Sequence, residues 1–417
     1  MTRLDRRSFL RATAGLAILG SRAASSAKAF ANEELPSWKP GILDIHHINT
    51  GRGNSSLVIC PDGTSILIDA GAANSPVLFM NEARPNDSLR SGQWIARYIQ
   101  RHLRASGREQ LDYVVVTHLH GDHMGELAPG SPKSLYGDYR LTGVSDVAEQ
   151  IQIRKLIDRG FPDYSYPEPI TDGSARNYIA YVRSRVSRNL SVEQINVGSA
   201  NQIILQHSSN QYPSFSVRNI AANGSVWAGT GDGKANHFPA TTSLSKDQLP
   251  SENMCSIAVR LNYGAFSYYT GSDLTCDTNY GADPWRDIET VVGKACGKVS
   301  VSTVNHHGYF DATGPDFVRA VQPQVWILQS WHASHPAMSV LANLYSEKLY
   351  LGPRDVFSVG LKPEAWLTTN RFASMLKSRQ GHVLVRVSSP GDRFHVLILD
   401  DRDETNHVQA AFGPYTS

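Results

Sequence analysis

Six residues constrain this chain more than any other feature. Residues 112–116 read as a buried strand that runs into Thr117-His118-Leu119-His120-Gly121-Asp122-His123. Side chains two apart on extended backbone project to the same side, so His118 and His120 can share one metal ion. Asp122 and His123 follow where the chain turns, and they can reach a second ion a few Å away. Four ligand-type side chains in so short a stretch are costly to pack unless a cation neutralises and orders them.

The pattern around this motif is mixed. Residues 56–59 and 65–69 are short apolar runs joined by Pro61-Asp62-Gly63, a strand-turn-strand signal. The spacing predicts a helix over 93–106, with Ile95, Tyr98, Ile99 and Leu103 on one face. A further helix is expected within 170–188, with Tyr178, Tyr181 and Val182 facing inward. Strand signals resume at 255–261, 266–270, 299–304 and 325–328, with helices at 315–321 and 339–349. A strand pair, 382–387 and 394–399, closes the pattern around Pro390-Gly391. Strand pairs separated by helices predict an α/β sandwich. Residues 32–417 read as one domain. Within it, residues 126–250 are Ser/Asn/Gly-rich in long stretches and read as an elaboration over the site.

The motif His118-x-His120-x-Asp122-His123 after a strand resembles the metal-binding motif of the metallo-β-lactamase superfamily. Asn49-Thr50-Gly51-Arg52-Gly53-Asn54 and Ile66-Leu67-Ile68-Asp69-Ala70-Gly71 strengthen the resemblance. They look like the opening of the hydrolase domain of competence DNA-uptake proteins and of phosphorylcholine esterases. The resemblance implies a four-layer αββα sandwich with two divalent ions at one edge. Zinc suits an all-His/Asp ligand set best, and manganese or iron also fits. It implies that Asp69 orients the metal loop. It implies that Asp273, in Tyr269-Thr270-Gly271-Ser272-Asp273, bridges the ions, with Asp277 as the fallback. Relatives often place Gly where Ser272 stands.

Asn305-His306-His307-Gly308 resembles the "HHG" segment of the same proteins. Strand register favours His306 as the ligand and leaves His307 facing the substrate oxyanion; the reverse assignment stays open. Asn253 and Ser256 resemble a segment that precedes the bridging carboxylate. His335-Pro336 resembles an "HP" segment whose histidine contacts a phosphate or leaving group. Many relatives complete the first metal site with another histidine. Only His207 and His237 lie in the right interval, and neither has convincing flanks, so water is the other option there.

The N-terminus points to export. Arg6-Arg7-Ser8-Phe9-Leu10-Arg11, the weakly apolar stretch 12–20 and Ala29-Phe30-Ala31 form a twin-arginine signal with a small-x-small cleavage site, residues 1–31. The expected partner is therefore the twin-arginine export machinery, and the expected location is periplasmic or secreted. Six basic residues against Asp5 in that segment take the whole-chain +2 to about −3 for the remainder, which removes any global pull toward nucleic acid. No apolar run reaches the roughly 18–20 residues that span a bilayer. Cys60, Cys255, Cys276 and Cys296 are too far apart in sequence for a Cys-x-x-Cys site. They read as small buried apolar residues, with two disulfides as the alternative.

The expected chemistry is metal-assisted hydrolysis, with Asp122 and Asp273 anchoring an activated water and His307 donating to the developing charge. The resemblance favours a phosphoester, above all a phosphodiester. Opening of a lactone or β-lactam is the alternative. A further one is an iron-binding oxidoreductase, or a protein that only binds.

Overall fold

The computed structural model describes residues 33–74 and 78–417, so the export signal expected in residues 1–31 lies outside the described residues. Two sheets face each other. The first has nine strands, running from edge to edge as Val408–Thr416, Arg393–Leu399, His382–Ser388, Leu43–His47, Ser56–Ile59, Ser65–Ile68, Leu111–Val116, Ile153–Asp158 and Ser191–Gln194. The second has eight: Asp355–Ser358, Val325–Leu328, Val301–Thr303, Phe266–Thr270, Ala258–Tyr263, Phe215–Ala222, Ser225–Trp227 and Lys234–Asn236.

The strand sequences explain the layering. Val114, Val115 and Val116 are all buried, yet they serve two cores. Val115 packs between the sheets with Ile45, Val58, Leu261, Val301 and Ile327. Val114 and Val116 face outward and pack with Ile95, Ile99, Leu103, Tyr178 and Tyr181. A strand covered on both faces needs an unbroken apolar run, because successive side chains point to opposite sides. Each such side chain is worth about 1.5–3 kcal/mol on burial. Helices Ser91–Ala105, Val144–Gln150 and Gly173–Ser187 cover the first sheet. Ile288–Cys296, Pro315–Val321, Met338–Tyr345 and Pro363–Ala373 cover the second. The result is the expected helix–sheet–sheet–helix sandwich.

The predicted inward residues Ile95, Tyr98, Ile99 and Leu103 are buried, as are Tyr178, Tyr181 and Val182. Helix Gly173–Ser187 starts where the Asp172 carboxylate accepts the Ala175 amide at 2.8 Å. Residues 126–250 require a correction. They are not only an elaboration: they supply Ile153–Asp158 and Ser191–Gln194 to the first sheet and Phe215–Ala222, Ser225–Trp227 and Lys234–Asn236 to the second. Leu43–His47, in the middle of the first sheet, was also unanticipated: its sequence, LDIHH, hides a strand behind polar letters. Cys60, Cys255 and Cys296 are buried free thiols, and Cys276 is partly buried. Among the described residues, no helix is long and apolar enough to cross a membrane.

Candidate metal centre

Strand Leu111–Val116 delivers the motif to one end of the sandwich. The chain stays extended to His120 and then makes one helical turn over Gly121–Gly125. Neighbouring backbone holds that turn. Asn54 N donates to Asp122 O at 2.8 Å, Ala70 N to His123 O at 2.8 Å and Ala72 N to Gly121 O at 3.0 Å. This approach is too close for side chains. A Cβ on Gly53 would lie 2.2 Å from Asp122 O, and one on Gly71 would lie 2.1 Å from it. The two glycine-containing segments noted in the sequence are thus the cradle of the ligand loop.

Asp69 lies behind the ligand loop and holds it by three hydrogen bonds. One carboxylate oxygen accepts Thr117 N at 2.8 Å. The other accepts Thr117 Oγ1 at 2.7 Å and His123 Nδ1 at 2.8 Å. This fixes the His123 ring and leaves Nε2 for a ligand. His307 is fixed in the same way, by Nδ1 donating to Gln329 O at 3.1 Å.

Asp122, His123, Asp273 and His307 converge, each offering one ligand atom, all within 4.8 Å of one another. His307 Nε2 lies 2.8 Å from Asp122 Oδ2 and 3.4 Å from Asp273 Oδ2. His123 Nε2 lies 3.2 Å from Asp273 Oδ1 and 3.3 Å from His307 Nε2. Asp273 is buried, and its Oδ1 makes no hydrogen bond. Burial opposes charge on Asp273, yet the imidazoles of His123, His307 and His306 hold it well below the usual carboxylate range. Burial likewise opposes a proton on His307, but Asp273 and Asp122 push it up to about 9. His123 is raised in the same sense by the same carboxylates. The raised histidines and the depressed Asp273 carboxylate form one buried charge cluster, in which a divalent cation would take the place of the ring protons. The donor set fits a divalent metal.

The other half of the motif is less complete. His118 is buried, with Nε2 3.1 Å from His120 Nδ1 and 3.7 Å from Asp273 Oδ2. His120 is exposed. Neither candidate third histidine joins them. His207 pairs with Asp112 at 3.3 Å, at the opposite end of strand Leu111–Val116. His237 lies beside Phe238, outside the ligand group. Asp277 is an exposed turn residue whose carboxylate accepts Asn279 N at 2.9 Å, so the fallback is not needed.

The assignment of the histidine pair is corrected. His307, not His306, enters the ligand group. The strand ends at Thr303, and both histidines take left-handed backbone, with φ of 47° and 53°, so strand alternation does not apply to them. His306 instead places Nδ1 2.6 Å from Asp311 and Nε2 3.1 Å from Asn253 Nδ2, and its Nε2 stays 3.8 Å from Asp273. Asn253 thus contacts His306 rather than a ligand. Ser256 is buried with its hydroxyl unpartnered. His335 stacks on His307, with ring centroids 5.0 Å apart.

Two supporting groups were missed. Glu252 Oε1 accepts the Leu119 amide, between the two motif histidines, at 2.7 Å. Glu252 also pairs with the buried Arg159, whose Nη1 donates to Tyr166 O at 3.1 Å and Asn223 Oδ1 at 3.0 Å. Glu289, also buried, accepts Asn305 Nδ2 at 2.7 Å, Thr313 N at 2.6 Å and Gly314 N at 2.9 Å, holding the turn that carries His307. Both interactions link residues far apart in sequence, and no local pattern announces them.

Residues 49–130 match the Metallo-beta-lactamase superfamily, a span that holds the whole cradle and ligand loop. The sandwich and the matched segment are consistent with the metallo-β-lactamase fold, and the His/Asp group is a site fit for metal. No curated protein matches the chain significantly in sequence. Similar solved structures include a mutant of the CmlA beta-hydroxylase, at 11% identity and a TM-score of 0.39, covering 85% of this chain. This chain spans only 55% of the length of that protein. The metallo-beta-lactamase fold protein YhfI from Bacillus subtilis is similar at 10% identity and a TM-score of 0.33, covering 83% of this chain and 99% of its own. Zn(2+)-bound PqqB from Methylobacterium extorquens is similar at 8% identity and 0.37, covering 79% and 86%.

Proposed function

We propose that this chain is a metal-dependent hydrolase of phosphoesters, with phosphodiesters the favoured substrates. The observation that carries the hydrolase reading is the convergence of Asp122, His123 and His307 on the buried Asp273 carboxylate, with one ligand atom of each within 4.8 Å of the others. The phosphoester reading is supported by the likeness of Asn49–Asn54 and Ile66–Gly71 to the opening of the hydrolase domain of competence DNA-uptake proteins and of phosphorylcholine esterases. Zinc is the favoured metal, and His118 and His120 with Asp273 would hold a second ion. Export through the twin-arginine route, with a periplasmic or secreted location, is part of the same proposal and rests on residues 1–31 alone.

A bound divalent cation would supply Lewis acidity and an activated water. The protein's own groups do the rest. Asp122 and Asp273 hold the charge balance of the site, and Asp69 and Gln329 O keep the His123 and His307 rings aimed. With His307 among the ligands, His306 takes over the donor role. Burial opposes its proton, but Asp273 and Asp311 raise its pKa, which favours the form that can donate to developing negative charge.

The test presents metal-loaded protein with bis-p-nitrophenyl phosphate, nitrocefin and a simple lactone. Hydrolysis of the phosphodiester alone supports the reading. Hydrolysis of nitrocefin or the lactone alone moves the protein to acyl chemistry. Absence of stoichiometric metal after metal-replete expression sinks the hydrolase reading.

A further inference from the structure

Three imidazoles meet where helix Ser91–Ala105 packs on the first sheet. His46 comes from strand Leu43–His47, His102 and Tyr98 from the helix, and His382 from strand His382–Ser388. Ring centroids lie 4.2 Å apart for His46 and His102, 4.5 Å for Tyr98 and His102, and 4.6 Å for Tyr98 and His382. The Tyr98 hydroxyl is 2.9 Å from His46 Nδ1.

The hydrogen bonds around these rings require them to be neutral. His382 Nδ1 accepts the Asn49 amide at 3.0 Å, so that nitrogen cannot also carry a proton. His102 Nε2 accepts from Asn406 Nδ2 at 3.4 Å. His46 Nε2 has no hydrogen-bond partner. Asp44 lies 3.9 Å from it, but Arg386 already binds both Asp44 oxygens, at 2.8 and 2.7 Å.

The other acids facing the cluster are engaged in the same way. Glu404 pairs with Arg97 and with Arg101, the latter at 3.1 Å. Asp400 accepts from Arg402 Nε at 2.9 Å, and Asp401 from Asn49 Nδ2 at 2.7 Å. A proton on the rings would therefore meet the cations Arg101 and Arg386 without a free carboxylate to balance it. Burial, then Arg386, His382 and His47, hold His46 well below the ordinary imidazole range. Burial and His46 lower His102 likewise, and burial and Arg101 lower His382 to about 3. A groove of about 200 Å³, lined among others by His46, Arg101, His102 and Asn406, brings solvent beside the cluster.

The cluster is tied to the cradle of the ligand loop at two points. Asn49, held by His382, begins the cradle segment, and its Oδ1 accepts Gly51 N at 3.1 Å. At the far end of that segment Asn54 N donates to Asp122 O at 2.8 Å. Ser91, which starts the helix, donates from Oγ to Gly71 O at 2.7 Å and lies 2.9 Å from Thr50 Oγ1.

We propose that His46, His102 and His382 form an acid-sensitive latch: proton uptake releases the Asn49 amide and the helix, and loosens the cradle that holds the ligand loop. The latch acts on the loop whatever the substrate and does not depend on the hydrolase reading. The stability contributed by the neutral rings is fully present above about pH 6.5, the ordinary imidazole value, and is lost as pH falls below it. Each ring that gains a proton on opening raises the opening constant about tenfold per pH unit.

The test is hydrogen–deuterium exchange of the full chain, purified after metal-replete expression and corrected for intrinsic rates. Wild type, His382→Asn and His102→Gln are compared at about pH 5 and pH 7. Asparagine places an oxygen near the position of Nδ1 and glutamine near that of Nε2, and neither titrates. In wild type, residues 43–54 and 91–105 are expected to exchange about 100-fold or more faster at the lower pH, with strand Val325–Leu328 changed less than about threefold. Each variant should cut that acceleration about tenfold. Protonation of the metal ligands is common to all three proteins and cancels in the comparison. His102 is only partly buried, so its variant carries the test if His382→Asn does not fold. An acceleration equal in wild type and variants, or one spread evenly through both sheets, overturns the latch. Protein that holds no metal yet shows the localised response refutes the hydrolase reading and leaves the latch standing.

Discussion

The two halves of the ligand motif are built differently. His123, with Asp122, Asp273 and His307, sits in a closed group in which each ring is braced from behind, by Asp69 for His123 and by Gln329 O for His307. His118 and His120 form a pair with no third histidine, and His120 is exposed. Bracing fixes ring orientation before a metal arrives, so the first group needs little reorganisation to bind. The pair needs more. The difference predicts one tight site and one weaker site that depends on Asp273 as the shared carboxylate.

Removing the shared group tests this most severely. Asp273→Ala should empty both sites and lower phosphodiester hydrolysis by about 10³-fold or more, the scale of several kcal/mol. His120→Ala should remove one metal equivalent and leave the other. Metal analysis of both variants decides the matter. If Asp273→Ala retains its metal, or if His120→Ala loses all of it, the asymmetry is wrong.

The supports behind the two halves also differ, and the next test exploits that. The pair depends on Glu252, which holds the Leu119 amide while paired with buried Arg159. Glu252→Ala leaves Arg159 buried without its partner and should cost about 3–5 kcal/mol in urea unfolding. Glu252→Gln keeps an acceptor for the Leu119 amide and should retain metal better than the alanine variant. Equal metal loss in both would show that the amide contact contributes nothing.

Behind His307 stands Glu289, which gives the closed group a pH signature. Burial pushes its carboxyl up to about 8 from the ordinary 4.5, against the hydrogen bonds it accepts from Gly314 N, Asn305 and Thr313 N. The folded state thus favours the protonated form. The stability that proton contributes is fully present below about 4.5 and is lost as pH rises through about 8. Between those limits wild type should lose up to about 1.4 kcal/mol per pH unit relative to Glu289→Gln. Parallel unfolding curves for the two proteins across pH 5 to 9 would remove Glu289 from the account. Asp69→Asn, which weakens the brace on His123, is expected to lower metal affinity about 10–100-fold. A competition titration with a chelator measures it. An unchanged affinity would mean that Thr117 alone orders the loop.

Local chemistry made the closed group partly legible in sequence. His118, His120, Asp122 and His123 lie in six residues after an apolar strand, and Asp69 and Asp273 end strands of their own. What failed was geometry beyond a strand's end. The choice between His306 and His307 was argued from strand register, but the chain leaves the strand at Thr303 and turns through left-handed backbone, reversing the assignment. The sandwich was legible wherever apolar runs were continuous, as at Val114–Val116. It was obscured where a strand carries adjacent charges, as Ile153–Asp158 does with Arg154 and Lys155, so residues 126–250 looked like a covering. Arg159, Glu252 and Glu289 were invisible because their partners are brought together only by the fold.

The smallest expected effect belongs to Ser272, which stands where relatives often have Gly. Its φ of 52° is left-handed, a conformation that glycine adopts without penalty. Serine is retained at that cost, and its hydroxyl lies 2.7 Å from Thr117 Oγ1 and 3.3 Å from His118 Nδ1. It therefore joins the closed group, through Thr117 and a longer 3.4 Å contact to His123 Nδ1, to the weaker pair, through His118. Ser272→Gly should relieve the backbone and lose those hydrogen bonds. Two opposing terms of about 1 kcal/mol each leave stability nearly unchanged. The metal sites should not respond equally. The weaker equivalent should lose roughly three- to tenfold in affinity, because His118 has no other side-chain brace outside its own loop, whereas the tighter one keeps Asp69. If both equivalents weaken together, Ser272 acts through Thr117 on the whole loop, and the pair is braced no differently from the closed group.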